Sequence, residues 1–185
     1  MLKERYFALF GIVGPSIAMF FITFSILLSP WFNWSQNALS DLGHSINSDF
    51  AALFNFGLLL SGFFIALYSL VSFRKYAKIT SYFLVFASLF LQFIAMFDEV
   101  YGSLHFFVSV LFFIMLTLSS LSFFLEKKSN LAGLAFCIGL LSWIMYELNF
   151  YSSGIAVPEA VSSVLTSSWV VKSSICLWTS NTKIQ

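Results

Sequence analysis

"SLHFFVSVLFFIMLTLSSLSFFL", residues 103–125, contains no Asp, Glu, Lys or Arg, and His105 is its one titratable side chain. As a helix it would extend roughly 35 Å at 1.5 Å per residue, enough to cross about 30 Å of hydrocarbon. A water-soluble helix keeps a charged face, and this segment has none. Apolar runs of similar length lie on either side, at 6–28, 50–73, 79–97 and 131–150, with a more polar sixth at 158–178. The pattern predicts an all-α, polytopic membrane protein: a bundle of six transmembrane helices in which residues 1–185 form a single integral membrane domain.

Composition excludes the alternatives. With 59% hydrophobic residues, 9% charged residues and a mean hydropathy of +0.91, the chain cannot furnish the surface of a soluble domain. The first run lacks a small-residue cleavage pattern after it, so it reads as an anchor rather than a removable signal. Nothing suggests nucleic-acid binding, a nucleotide loop or haem. There is no glycine-rich phosphate cradle and no basic surface beyond the membrane flanks.

The nine basic residues set an orientation. Lys3 and Arg5 precede the first span, Arg74, Lys75 and Lys78 link spans two and three, Lys127 and Lys128 link spans four and five, and Lys183 lies in the tail. Lys172, near the end of span six, reaches the same side by extending its stem. With six spans all of these fall on one face, which predicts both termini in the cytoplasm of a multi-pass cell-membrane protein. Glu4 and Glu126 accompany them, whereas Asp41, Asp49, Asp98, Glu99, Glu147, Glu159, His44 and His105 gather toward the opposite face. That face is acidic and carries no Lys or Arg. Carboxylates crowded in this way take up protons, bind a metal, pair with histidinium or stay solvated.

The first outer loop contains the most polar stretch, "NWSQNALSDLGHSINSDF" at 33–50. A short interfacial helix is expected around 33–43, with Asn33 and Gln36 in a capping-box-like arrangement and Gly43 ending it in the left-handed conformation. Trp34, Ala38, Leu39 and Leu42 would share a face lying on the membrane surface. Asn37, Ser40, Asp41 and His44 would face water or the mouth of the bundle. Asn33-Trp34-Ser35 also matches a glycosylation sequon.

Within the spans, Gly11, Gly14 and Pro15 are expected to bend or loosen the first. Gly57 with Ser61, and Ala135 with Gly139, are small-residue pairs that let helices approach. Cys137 and Cys176 read as packing residues on the reducing side. Glu159, Ser162, Ser163, Thr166 and Ser173 form a polar stripe on span six, read either as hydroxyls bonded within the bundle or as the wall of a polar cavity.

His105 is the sharpest single residue. It begins span four, seven residues after Asp98, with Ser109 one turn further along the same face. One reading makes it a hydrogen-bonding residue of the fold, another a proton-transfer group or lipid-headgroup contact. A third makes it a zinc ligand with His44 and a carboxylate such as Asp41 or Asp98. As catalytic candidates, His105, Asp98, Asp41 and Glu159 stand together. No cofactor is expected, with zinc as the alternative.

The segments "LSDLGHS" with "LFNFGLLLSGFF", "FDEVYGSLHFFVSVLFF" and "GIAVPEAVSSVLTSSWVV" resemble blocks of domain-of-unknown-function family 998, six-span membrane proteins of archaea and bacteria. The resemblance covers nearly the whole chain, and its matching polar positions here are Ser40, Asp41, Gly43, Asn55, His105, Pro158 and Glu159. It implies a six-helix bundle in a prokaryotic cell membrane and carries no catalytic assignment. Three classes of function follow: a non-catalytic membrane component or accessory subunit that meets other membrane subunits through its outer loop, an outward-facing enzyme or lipid-headgroup or metal site, and a transporter. Transport fares worst, because no charge lies near the midplane and no internal repeat is visible.

Overall fold

The computed structural model describes residues 2–150 and 154–180, with side chains from residue 5 onward. Lys183 and the side chains of Lys3 and Glu4 lie outside that set. Among the described residues there are no strands, and six helices are long and apolar enough to cross a membrane. A short α1 (Leu2–Ala8) leads at Leu9 into α2 (Phe10–Leu28). The second span, α3 (Ala51–Leu67), continues through a π turn at Tyr68–Ser72 and a 3-10 turn at Phe73–Lys75. Then come α4 (Lys78–Met96), α5 (Ser103–Lys127), α6 (Asn130–Glu147) and α7 (Ala156–Ser180).

Local chemistry sets these boundaries. Lys128 adopts φ 53 after α5, and the Ser129 hydroxyl then accepts from the Ala132 N–H to start α6, so two residues suffice to reverse the chain. The α6 helix stops at Glu147, short of the expected residue 150. Asn149 sits at φ 54, and asparagine tolerates the left-handed position that ends a helix. Pro158 lies in the first turn of α7, where its missing N–H costs no helical hydrogen bond. Helix α2 runs through Pro15 without a break.

Consecutive helices pack side by side, and α7 closes the bundle by returning against α2 and α5. One core cluster joins Leu42 to Phe54, Leu58, Leu91, Ile94, Val108 and Phe112 near the acidic end. The other joins Tyr68, Phe73, Leu84, Phe123, Trp169 and Val170 toward the basic end. The α7 stripe bonds within the bundle: Ser162 accepts from the Trp143 indole at 3.0 Å, Thr166 meets Ser120 at 3.4 Å, and Ser173 meets the buried Tyr68 hydroxyl at 2.9 Å. Cys137 and Cys176 are exposed on the bundle surface rather than packed inside it.

The glycines of α2 and α3 act by allowing close approach. A Cβ on Gly57 would sit 2.3 Å from the Phe21 Cβ, and one on Gly14 2.7 Å from an Ile65 side-chain carbon. Gly57→Ala is therefore expected to push α2 and α3 apart and to destabilise the bundle by about 1–3 kcal/mol. A lower midpoint of thermal unfolding in detergent checks this, and an unchanged midpoint would contradict the packing described.

Candidate functional site

The acidic end is organised around the loop from residue 29 to 50. In place of the helix expected over 33–43, a turn at 34–36 precedes a 3-10 helix at Leu39–Gly43. That helix does not lie on the membrane surface, because Leu39, Leu42 and Gly43 are buried and Leu42 belongs to the bundle core. Gly43 is not left-handed. A Cβ there would meet the Asn55 Oδ1 at 2.5 Å and the Phe54 ring at 2.8 Å, and the Asn55 amide donates to the Gly43 carbonyl at 2.8 Å. Tight approach to α3 explains the glycine. Asn33 accepts from the Ser35 N–H in a local turn, and its backbone carbonyl accepts from Gln36 and Asn37.

A loop folded into the mouth of a membrane bundle loses water from its N–H groups, and each must find an acceptor. Carboxylates supply them. The Asp41 carboxylate accepts from the Ala38 N–H at 2.9 Å and the Asn37 amide at 2.8 Å. Glu159, in the first turn of α7, accepts from the Leu39 N–H at 2.7 Å. The buried Asp98 accepts from the Ser45 N–H at 3.1 Å and caps its own turn through Val100 at 3.0 Å. Glu99 accepts from the Ser40 hydroxyl at 2.5 Å. Backbone pairing of Gly154 with Trp34 and of Ala156 with Asn37 ties the same loop to the start of α7.

His105 completes this cluster from α5. Its Nδ1 lies 2.7 Å from the Phe97 carbonyl, which can only accept, so Nδ1 carries a proton. Its Nε2 lies 3.3 Å from a Glu99 carboxylate oxygen and 3.3 Å from the Ser109 hydroxyl. The bond from His105, reinforced by Ser40, holds the Glu99 carboxyl below the usual carboxylate range against the opposing effect of burial. A nucleophile relay would need serine and carboxylate at opposite ring nitrogens. Here both address Nε2, and the backbone occupies the other.

Glu159 has a second environment. It is only 7% exposed, and one of its oxygens is engaged by Leu39. The other accepts no hydrogen bond from the described residues. The side chain lines two cavities. A central one of about 100 Å³ lies beneath Leu39 and Ser40 and reaches Ser61 on α3, whose buried hydroxyl has no partner. The other is a groove of about 410 Å³ along the bundle flank. Phe106, Val110, Phe113, Ile114 and Leu118 of α5 form one wall, Leu140 and Trp143 of α6 the other, and Glu147 and Glu159 stand at its acidic end. Ser109, Phe113 and Glu159 separate the two spaces.

Of the four catalytic candidates, Asp98, Asp41 and Glu159 hold the loop, while His105 pairs with Glu99 rather than with any of the three. Glu159 remains within electrostatic reach of Glu99, Asp41 and His105. The zinc set does not assemble: His44 binds back onto Asn47 and the N–H of Ile46, Asp41 faces Asn37, and His105 faces Glu99. Among the described residues no three His, Cys, Asp or Glu side chains are placed to share a metal ion. Sequence reading passed over Glu99 as the partner of His105 because Asp98 and Glu99 are adjacent. Only the turn through Gly102, at φ 54, decides which of them faces the ring. It also passed over Trp143, Ile155 and the groove they line.

Six apolar helices around a loop-plugged, acidic mouth define a multi-pass membrane protein of the helix-bundle class. The chain belongs to the family described as "Protein of unknown function (DUF998)", which matches residues 12–174. No curated protein and no solved structure matches it.

The depressed acidity of Glu99 fixes the sign of a pH effect. Its stabilisation is full above the unfolded carboxylate pKa of about 4.3 and is lost as pH falls through the lower native value. Glu99→Gln is expected to cost about 1–2 kcal/mol at neutral pH and to flatten the acid limb of a thermal-stability profile. Wild-type and variant profiles that stay parallel down to pH 3 would contradict the pairing.

Proposed function

We propose that this protein is a non-catalytic membrane component that binds a bilayer lipid in the groove between α5 and α6, with the acidic end outside the cell and both termini in the cytoplasm. The groove carries the reading. Its α5 wall runs from Phe106 to Leu118, roughly 18 Å at 1.5 Å per residue. That approaches the depth of one leaflet, about half of a 30 Å core. The lining is mainly apolar and aromatic along this length, with Ser109 and Thr117 among it, as a site for an acyl chain requires, and the carboxylates stand where a headgroup would lie.

Packing supports the same reading. Helix α6 is the least buried of the six spans, so its flank is left for lipid to fill. The orientation is supported by the basic residues, which flank the opposite ends of the helices. The acidic mouth, with Trp31, Trp34 and Ile46 exposed, offers other membrane subunits a surface. An enzymatic reading has less support, because the His105 ring nitrogens are both committed to the fold.

Ile114→Trp places a large ring in the groove at a position 44% exposed, where folding should tolerate it. Native mass spectrometry of the protein released from mild detergent is expected to show bound phospholipid on the wild type and at least several-fold less on the variant. Equal lipid on both, or none on the wild type, would contradict the proposal.

A further inference from the structure

Resting on that lipid-binding reading, we propose that the groove selects lipids whose headgroup carries a primary ammonium, such as phosphatidylethanolamine, and that Glu159 and Glu147 are the selecting residues. The acidic end offers six carboxylates without a single Lys or Arg, but four are otherwise placed. Asp41, Asp98 and Glu99 accept from the loop or from His105, and Asp49 lies exposed on the loop, outside the groove lining. Glu159 engages the loop through one oxygen only, Glu147 has no partner among the described residues, and these two line the groove.

Glu159 is more than nine-tenths buried, and one carboxylate oxygen has no donor among the described residues. That oxygen is not among the fully enclosed polar atoms that lack a partner, so it keeps access to open space. Glu159 lines the groove as well as the central cavity, so a ligand in the groove is placed to bring the missing donor. Glu147, the last residue of α6, is exposed, has no partner among the described residues, and lines the same end of the groove.

The chemistry of the donor follows from the two acceptors. A primary ammonium presents three N–H bonds and one positive charge, which suits the carboxylates at this end of the groove. A choline headgroup has the charge but no N–H, so the Glu159 oxygen would stay unpaired beside it. A glycerol headgroup brings hydroxyl donors together with an uncompensated phosphate, which two carboxylates and the absence of any nearby Lys or Arg disfavour. The acyl chain would run down the wall from Phe106 toward Leu118, leaving the phosphate at the aqueous rim.

The test uses the full-length protein, stripped of endogenous lipid in detergent and titrated with phosphatidylethanolamine, phosphatidylcholine and phosphatidylglycerol of identical chains, with binding read by native mass spectrometry. Phosphatidylethanolamine is expected to bind about tenfold more tightly than the other two. Glu147→Gln and Glu159→Gln should each reduce that preference and together abolish it, while residual binding of all three lipids persists. Glutamine keeps a carbonyl that can accept from Leu39, so the loop anchor survives in Glu159→Gln. The Glu147 change touches only an exposed position, and so reports on selection even if the other variant misfolds. Equal affinity for the three lipids in the wild type would overturn the headgroup assignment and leave the groove reading intact. No lipid binding at all, or a dimer whose interface covers the groove, would overturn both.

Discussion

The acidic mouth is held together by hydrogen bonds from the backbone of one loop to carboxylates, one within the loop and the others on neighbouring elements. Residues 38–45 enter the top of a helix bundle, where Leu39, Leu42 and Gly43 are buried and buried N–H groups must find acceptors within the protein. Asp41 within the loop, Asp98 before α5 and Glu159 at the start of α7 accept from the N–H groups of Ala38, Ser45 and Leu39, and Glu99 accepts from the Ser40 hydroxyl. This accounts for a region rich in acids and empty of Lys and Arg. A cation placed among these carboxylates would compete with the backbone for them, whereas His105 pairs with Glu99 through a single ring nitrogen and keeps the other on the Phe97 carbonyl. With the loop seated, Leu42 completes the core between α3, α4 and α5, and the central cavity is roofed.

The basic end uses charge differently. Glu126 caps the start of α4, accepting from the N–H groups of Ile79 and Thr80 and from the Thr80 hydroxyl, so one carboxylate serves three donors. The cations there lie over aromatic rings: Arg5 is 4.0 Å from the Trp178 ring centre and Lys127 is 4.2 Å from that of Tyr76. Such contacts suit a membrane boundary, where the ring stays in the apolar zone and the charge reaches the headgroups. Between the two ends, glycine-mediated contact draws α2 onto α3, while α6 is the least buried span and borders the flank groove.

The spans were legible in the sequence because hydrocarbon thickness imposes a length on every one of them and leaves charge only at their ends. The α7 stripe was legible as a row of hydroxyls, and Ser162, Thr166 and Ser173 did find partners inside the bundle. The loop was legible as polar and partly helical but not in its direction. An alternating arrangement of Trp34, Leu39 and Leu42 fits a membrane surface as well as a bundle mouth, and the choice is made by acceptors sixty to a hundred and twenty residues away in sequence. Likewise, adjacency hid which of Asp98 and Glu99 meets His105, and a groove formed by α5, α6 and α7 has no signature in any one of them.

The claim that carboxylates hold the loop in the mouth is tested most directly by amide hydrogen exchange on the protein in lipid nanodiscs, resolved at Leu39 and Ser45. Both amides are predicted to exchange as slowly as the helical interior of α3, and Leu39 is predicted to be released selectively when Glu159 is replaced by alanine. Rapid exchange at Leu39 and Ser45 in the wild type, at the rate of an exposed loop, would contradict the account.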